Sequence, residues 1–252
     1  MITDSFFKAI NFVEINYNKV FSWIKSPNFN QQLKSINGQK QKKLITFIDT
    51  DFTVGGAQKI NLEIAKRLPK KKYEKTYIAT ECFGLIKNWR NEFIEVFDNV
   101  IDLRIVLNKR KKLFKVLSVL KPDVIVIVNS NVAYLVAPKI KKKFPQIYFV
   151  DIIHGVFKSN CKHIFSLECV KVFDKRVTVS NGLKKLILNE YIKMDYSINL
   201  REKVTSIING TDISSPGNFI SKMNFRSNLN IPHNAFVVVF IGAIAQHKDP
   251  IS

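Results

Sequence analysis

Residues 44–68, LITFIDTDFTVGGAQKINLEIAKRL, place two acids and two glycines between an apolar run and a segment of helical period. Asp49 and Asp51 flank a single threonine, a spacing at which two carboxylates can chelate Mn²⁺ or Mg²⁺. Loop acids favoured by the dipole of a following helix need no metal. The pair directly ends the first strand of the body, and that position favours the second reading, so no metal site is expected. Gly55 and Gly56 follow in VGGAQ, which fits neither G-x-G-x-x-G nor G-x-x-x-x-G-K-S/T. Adjacent glycines at a strand-to-helix turn permit unusual φ angles and leave no Cβ to block a ligand's approach to the amides. On these residues alone a plain turn and a binding loop both stand. Cys161, His163 and Cys169 lack a fourth ligand at a usual spacing, and the cysteines, with Cys82, read as ordinary buried thiols of a reducing, cytoplasmic compartment.

These residues need a frame. Residues 43–49 read as a first strand, with Ala57, Ile60, Asn61, Ile64, Ala65 and Leu68 on one face of the helix after it. Residues 77–80 read as a second strand. Residues 121–155 form the clearest unit: a strand at 123–128, a helix that must end near Pro145, and a strand at 147–153, a β-α-β crossover that demands parallel pairing. A strand at 176–180 and a helix at 181–191 capped by Ser180 repeat the order, and 204–210 adds another strand. The alternation predicts an α/β fold, a doubly wound parallel sheet with its ligands at the carboxyl ends of the strands. After residue 212 a loop and a short helix lead into AFVVVFIGAIAQHKDPIS, an apolar strand expected to be the incomplete start of a second α/β domain. The expected division is an N-terminal helical extension and linker at 1–42, a Rossmann-like domain at 43–212, and a linker with the start of another domain at 213–252.

Lys+Arg 40 against Asp+Glu 20 give a formal net charge of +20 over 252 residues. Such a field draws phosphates, whether on lipid, nucleic acid or a nucleotide, although the short lysine clusters at 69–75, 108–112 and 139–144 fall where solvated helix ends and turns do. The longest apolar run, 124–138, is too short to cross a bilayer and contains Asn129, Ser130 and Asn131. Phe6, Ile10, Val13, Tyr17, Val20 and Ile24 recur at helical spacing, with Phe21 and Trp23 beside them. The stripe suits either packing on the body or a helix lying on anionic lipid at the inner face of a membrane.

In order and spacing, GGAQKINLEIAKRL, DIIHG, VTVSNGLKKLI, IINGTD and FVVVFIGAIAQHKDP resemble family 4 glycosyltransferases over about 200 residues, 43–250. The resemblance implies the two-Rossmann-domain GT-B fold and transfer of a hexose, with retention, from a nucleotide-diphosphate sugar to a polysaccharide or lipid-linked acceptor. It implies a cleft between the domains and no cofactor or bound metal. Carried over by position, Gly55 and Gly56 let the first loop approach the donor's sugar and diphosphate, and His154 contacts the transferred sugar, where a lone histidine at a strand end is equally compatible with a structural role. Lys248 corresponds to the basic residue that neutralises the donor's phosphates, and Asn209, Gly210 and Asp212 to an interdomain turn. Gln58 stands where the family more often has Glu, Ala243 where it usually has a second phosphate-binding Arg, and the sequence stops before the family's E-x₇-E segment. A partner chain supplying the complementary domain, or a fragment without activity, follows as an expectation. The alternative is a non-catalytic basic module for anionic membrane or nucleic acid. Sequence-specific nucleic-acid binding is not expected, because most phenylalanines belong to the apolar periodicity rather than interleaving with the lysines. An NAD-binding Rossmann protein lacks its glycine fingerprint.

Overall fold

The computed structural model describes residues 42–81, 89–156, 163–210, 222–232 and 234–239. The chain divides into two compact units, Met1–Asn209 and Gly210–Ser252. The leading stripe and nearly all of its linker lie outside the described residues, as do Lys248, Ala243 and Asp212.

In the first unit, seven parallel strands stand in the order β3-β2-β1-β4-β5-β6-β7. They are β1 Lys43–Asp49, β2 Tyr73–Ala79, β3 Asn99–Asp102, β4 Val124–Val128, β5 Tyr148–Ile153, β6 Lys175–Thr178 and β7 Val204–Ser206. Between them run α1 Gly56–Arg67, α2 Arg90–Val96, α3 Lys109–Leu120, α4 Asn131–Lys143, α5 Leu167–Val172, α6 Asn181–Lys193 and α7 Ile198–Arg201. The sheet is doubly wound, as the alternation of apolar runs and helical periods predicts. The order reverses between β1 and β4, whose register sets Ile48 beside Ile127.

Both faces of the sheet are covered, which is why β4 reads as an unbroken VIVIV. Ile125 and Ile127 face Leu113, Leu117, Tyr134 and Ile140 of α3 and α4. Val126 and Val128 belong to the opposite layer, with Leu62 and Ala65 of α1 and Phe93 of α2. Helix α4 ends at Lys143 with Phe144 as its C-cap, because a residue preceding Pro145 is pushed out of helical space. Ser180 caps α6 by accepting the Leu183 N–H at 3.2 Å, as its position before the periodic segment predicts.

A recurring device fixes the amino ends of the strands. Asp98, just before β3, accepts the Lys75 N–H of β2 at 2.8 Å. Asp123, before β4, accepts the Leu44 N–H of β1 at 2.8 Å, and Asp174, before β6, accepts the Phe149 N–H of β5 at 2.8 Å. Each carboxylate pairs the first free amide of the neighbouring strand, a donor that would otherwise be lost at the sheet's end.

In the second unit, α8 spans Lys222–Asn228. The Arg226 guanidinium donates to the carbonyls of Pro232 and Ala235 at 2.9 and 3.1 Å. Residues 235–239 were expected to open a buried strand. They are not in a strand, and Phe236 and Val238 are 94% and 83% exposed. An apolar run makes a strand only where a neighbouring strand pairs it, and among the described residues none does.

Candidate functional site at the carboxyl edge

The loop from β1 to α1 is seated on aromatic rings. Phe52 lies 5.4 Å from Tyr77 and 5.5 Å from Phe93, centroid to centroid, and the Arg104 guanidinium lies 4.8 Å over the Phe52 ring. The Tyr77 hydroxyl donates to the Asp51 carbonyl at 2.6 Å, and the Trp89 N–H donates to the Phe52 carbonyl at 2.8 Å. The loop backbone is therefore held from below while its outer side stays open.

The two aspartates are occupied locally. Asp49 Oδ1 accepts the Thr50 N–H at 2.6 Å and Oδ2 accepts Asn61 Nδ2 at 2.7 Å, bracing the strand end against α1. Asp51 Oδ1 accepts the Thr53 N–H at 3.0 Å and Oδ2 accepts the Thr53 hydroxyl at 2.5 Å, closing an Asx turn. Burial raises the Asp49 carboxyl to about 7, with the charge of Asp51 adding and the Thr50 N–H opposing. Among the described residues no three His, Cys, Asp or Glu side chains gather as a metal site. Cys169 is buried and its thiol is pushed up to about 12 by that burial, while Cys82 and Cys161 lie outside the described residues.

Gly55 is the residue before α1, with φ −157° and ψ 164°, extended backbone that any residue adopts. Neither glycine uses the left-handed region, so conformational freedom is not what the pair supplies; the missing Cβ atoms are. At Gly55 a Cβ would stand 2.8 Å from Gln58 Oε1, the mobile end of a side chain. At Gly56 it would meet nothing within 4 Å, so the first turn of α1 is open to solvent. No side chain caps this helix and no acid lies in its first turn, which leaves its leading amides free for an anion.

His154 directly follows β5. The pairings of β1 with β4 and β4 with β5 set it at the same carboxyl edge from which the glycine loop leaves β1, two strand spacings or roughly 10 Å from the end of that strand. Its Nε2 is buried without a hydrogen-bond partner, and burial lowers the imidazole to about 4, so it is neutral at pH 7.

Between the loop and the histidine lies a polar group that the sequence reading did not single out. The Thr80 and Ser130 hydroxyls are 2.8 Å apart, and Ser130 Oγ accepts the Ala133 N–H at 3.0 Å as the cap of α4. Glu81 Oε1 accepts the Val132 N–H at 3.2 Å and the Ser130 hydroxyl at 3.3 Å, an acid placed where the helix dipole favours it. Asn129, in the left-handed region at φ 51°, turns the chain from β4 into that cap. A serine just before a periodic apolar run was the available signal for Ser130; nothing local marks Thr80 or Glu81.

The glycine loop and the neutral histidine stand on the carboxyl edge, on either side of the point where strand order reverses. No family model matches the chain, and no curated protein matches it in sequence. Among solved structures it is similar to an apo lipopolysaccharide outer core galactosyltransferase, WaaB, at 16% identity and TM-score 0.47, over 68% of this chain and 47% of that one. It is similar to an alpha-glucosyltransferase in complex with UDP-glucose and DNA containing an abasic site, at 16% identity and TM-score 0.45, over 65% of this chain and 41% of that one. A UDP-N-acetylglucosamine 2-epimerase matches at 12% identity and TM-score 0.41, over 66% of this chain and 46% of that one. The chain thus spans less than half the length of each. At identities this low the likeness extends no further than fold, which the strand order defines on its own.

Proposed function

We propose that residues 43–212 are the acceptor-side domain of a retaining glycosyltransferase that uses a nucleotide-diphosphate sugar and transfers a hexose to a polysaccharide or lipid-linked glycan. The observation that carries the reading is the shared placement of Gly56, with open space where a side chain would be, and His154, uncharged, on the two sides of the switch point. Free amides at the start of α1 suit the oxygens of a sugar-diphosphate. A neutral imidazole suits a sugar hydroxyl better than a phosphate, since it can either donate or accept without carrying charge. A complementary domain would bring the remaining donor contacts, Lys248 among them, and the positioning that makes transfer fast.

Saturation-transfer NMR with UDP-hexoses and GDP-hexoses tests this on the intact chain. Saturation should reach the hexose protons and fall at least severalfold in Gly56→Val and in His154→Ala. Equal saturation of all three proteins, or none of any nucleotide-sugar in a chain whose melting is normal, overturns the reading.

A further inference from the structure

We propose that the amino edge of the sheet, opposite the ligand edge, is a docking surface for an anionic lipid bilayer. In a parallel sheet every strand starts on the same side, so lysines scattered through the sequence converge there. Lys43, Lys72, Lys175 and Lys203 stand at or directly before the starts of β1, β2, β6 and β7, while Lys121 and Lys143 end the helices α3 and α4 that lead into β4 and β5. At roughly 4.8 Å between strands, from β2 to β7, they form a row about 24 Å long. All but Lys203 are exposed, and exposed Lys70, Lys71 and Lys142 thicken the row.

The acids of this edge do not neutralise it. Asp98, Asp123 and Asp174 are committed to amides of adjacent strands, with one further tie from Asp174 to Lys141 at 3.0 Å. The exposed lysines of this edge outnumber its exposed acids, among them Asp98 and Glu202, so the field it makes is net positive.

Three features favour lipid over nucleic acid. The cations are lysines, point charges without the planar fork that reads phosphates and base edges bidentately. Among the described residues of the first unit, Tyr148 is the sole exposed aromatic, at 43%, whereas single-stranded nucleic acid is gripped by several stacked rings. In the sequence, an apolar stripe at 6–24 with Phe21 and Trp23 precedes this unit, and an apolar segment together with a basic patch is the pair of signals that stable anchoring takes. This inference does not depend on the ligand assigned to the carboxyl edge.

Co-sedimentation of the full chain with phosphatidylglycerol and phosphatidylcholine vesicles tests it. The unmodified protein should prefer phosphatidylglycerol, and binding should weaken as salt rises. Each basic residue near an anionic leaflet contributes roughly fivefold in affinity, so K70Q/K71Q/K72Q should lose about a hundredfold. The matched variant K109Q/R110Q/K111Q removes the same charge from the carboxyl edge and should lose no more than a few-fold. Equal losses mean that net charge alone drives binding and overturn the proposal; so does tighter binding of a single-stranded oligonucleotide abolished by the amino-edge changes. Should the first variant melt abnormally, amide exchange on the unmodified chain decides. Vesicles must protect 70–72, 121 and 142–143, and protection confined to the carboxyl edge refutes the assignment.

Discussion

Asp49 and His154 both sit at the carboxyl edge, and burial moves both toward their uncharged forms, with opposite consequences for pH. The Asp49 carboxyl, raised from 3.8 to about 7, binds its proton more tightly in the folded chain than in the unfolded one. Its contribution to stability is therefore greatest in acid and falls, by on the order of 4 kcal/mol, as pH rises from about 4 to about 7. Asp49→Asn should flatten that decline, because Asn61 Oδ1, now buried without a partner, can turn to accept from the new amide. Melting temperatures at pH 5 and 8 should differ less in the variant than in the parent. A widened difference would mean that the carboxylate is needed charged. His154 behaves the other way: lowered from 6.5 to about 4, it resists protonation on folding. Stability is full above pH 6.5 and is lost as pH falls toward 4, and His154→Gln should remove that acid limb from a plot of melting temperature against pH.

Helices α4 and α6 start from the same type of residue in different surroundings. Ser180 caps α6 in an exposed position, and Ser180→Ala should cost about 1 kcal/mol, the usual price of a lost cap. Ser130 caps α4 while bonding Thr80 and Glu81 in a buried position. Ser130→Ala should cost clearly more, since it strands a buried hydroxyl as well. Urea denaturation of the two variants checks the ranking, and equal costs would show that the Thr80 and Glu81 bonds add nothing. The difference between these serines also marks what the sequence discloses. A cap before an apolar period is a local signal, so α6, the β-α-β unit at 121–155 and the parallel sheet were all readable. Strand β3 and helix α2 were not, because Asn99–Asp102 is too short for alternation to show and α2 buries Phe93 alone. The placement of Gly56 and His154 on one edge follows once parallel order is known, whereas Glu81 reaches Val132 only through tertiary contact. The apolar pattern at 235–239 promised a strand, but pattern records what a segment can pair with and not whether a partner is present.

Among the described residues of the first unit, the two layers are joined to the sheet mostly by apolar packing, and the ion pair of Arg176 with Asp151 is fully buried. Arg176 of β6, fully buried, donates to Asp151 Oδ2 of β5 at 2.6 and 2.9 Å and to the Ile164 carbonyl at 2.9 Å. It also meets the Tyr191 hydroxyl of α6, while the Tyr134 hydroxyl of α4 donates to Asp151 Oδ1 at 2.8 Å. Removing one member leaves the other charge buried and alone, so Arg176→Met should cost about 3–5 kcal/mol. The combined variant with Asp151→Leu should recover most of that loss in denaturant titrations. Simple additivity of the two changes would show that the pair is not coupled. The parallel arrangement that gathers lysines at one rim and the glycine loop at the other also fixes a stand-off. The seven residues of β1 separate the rims by roughly 23 Å. Taking the two proposals together, a transferase resting on its lysines would work that far above the leaflet, beyond a single lipid headgroup but within reach of a glycan already several sugars long. Such geometry would extend existing chains and leave the first sugar to another catalyst.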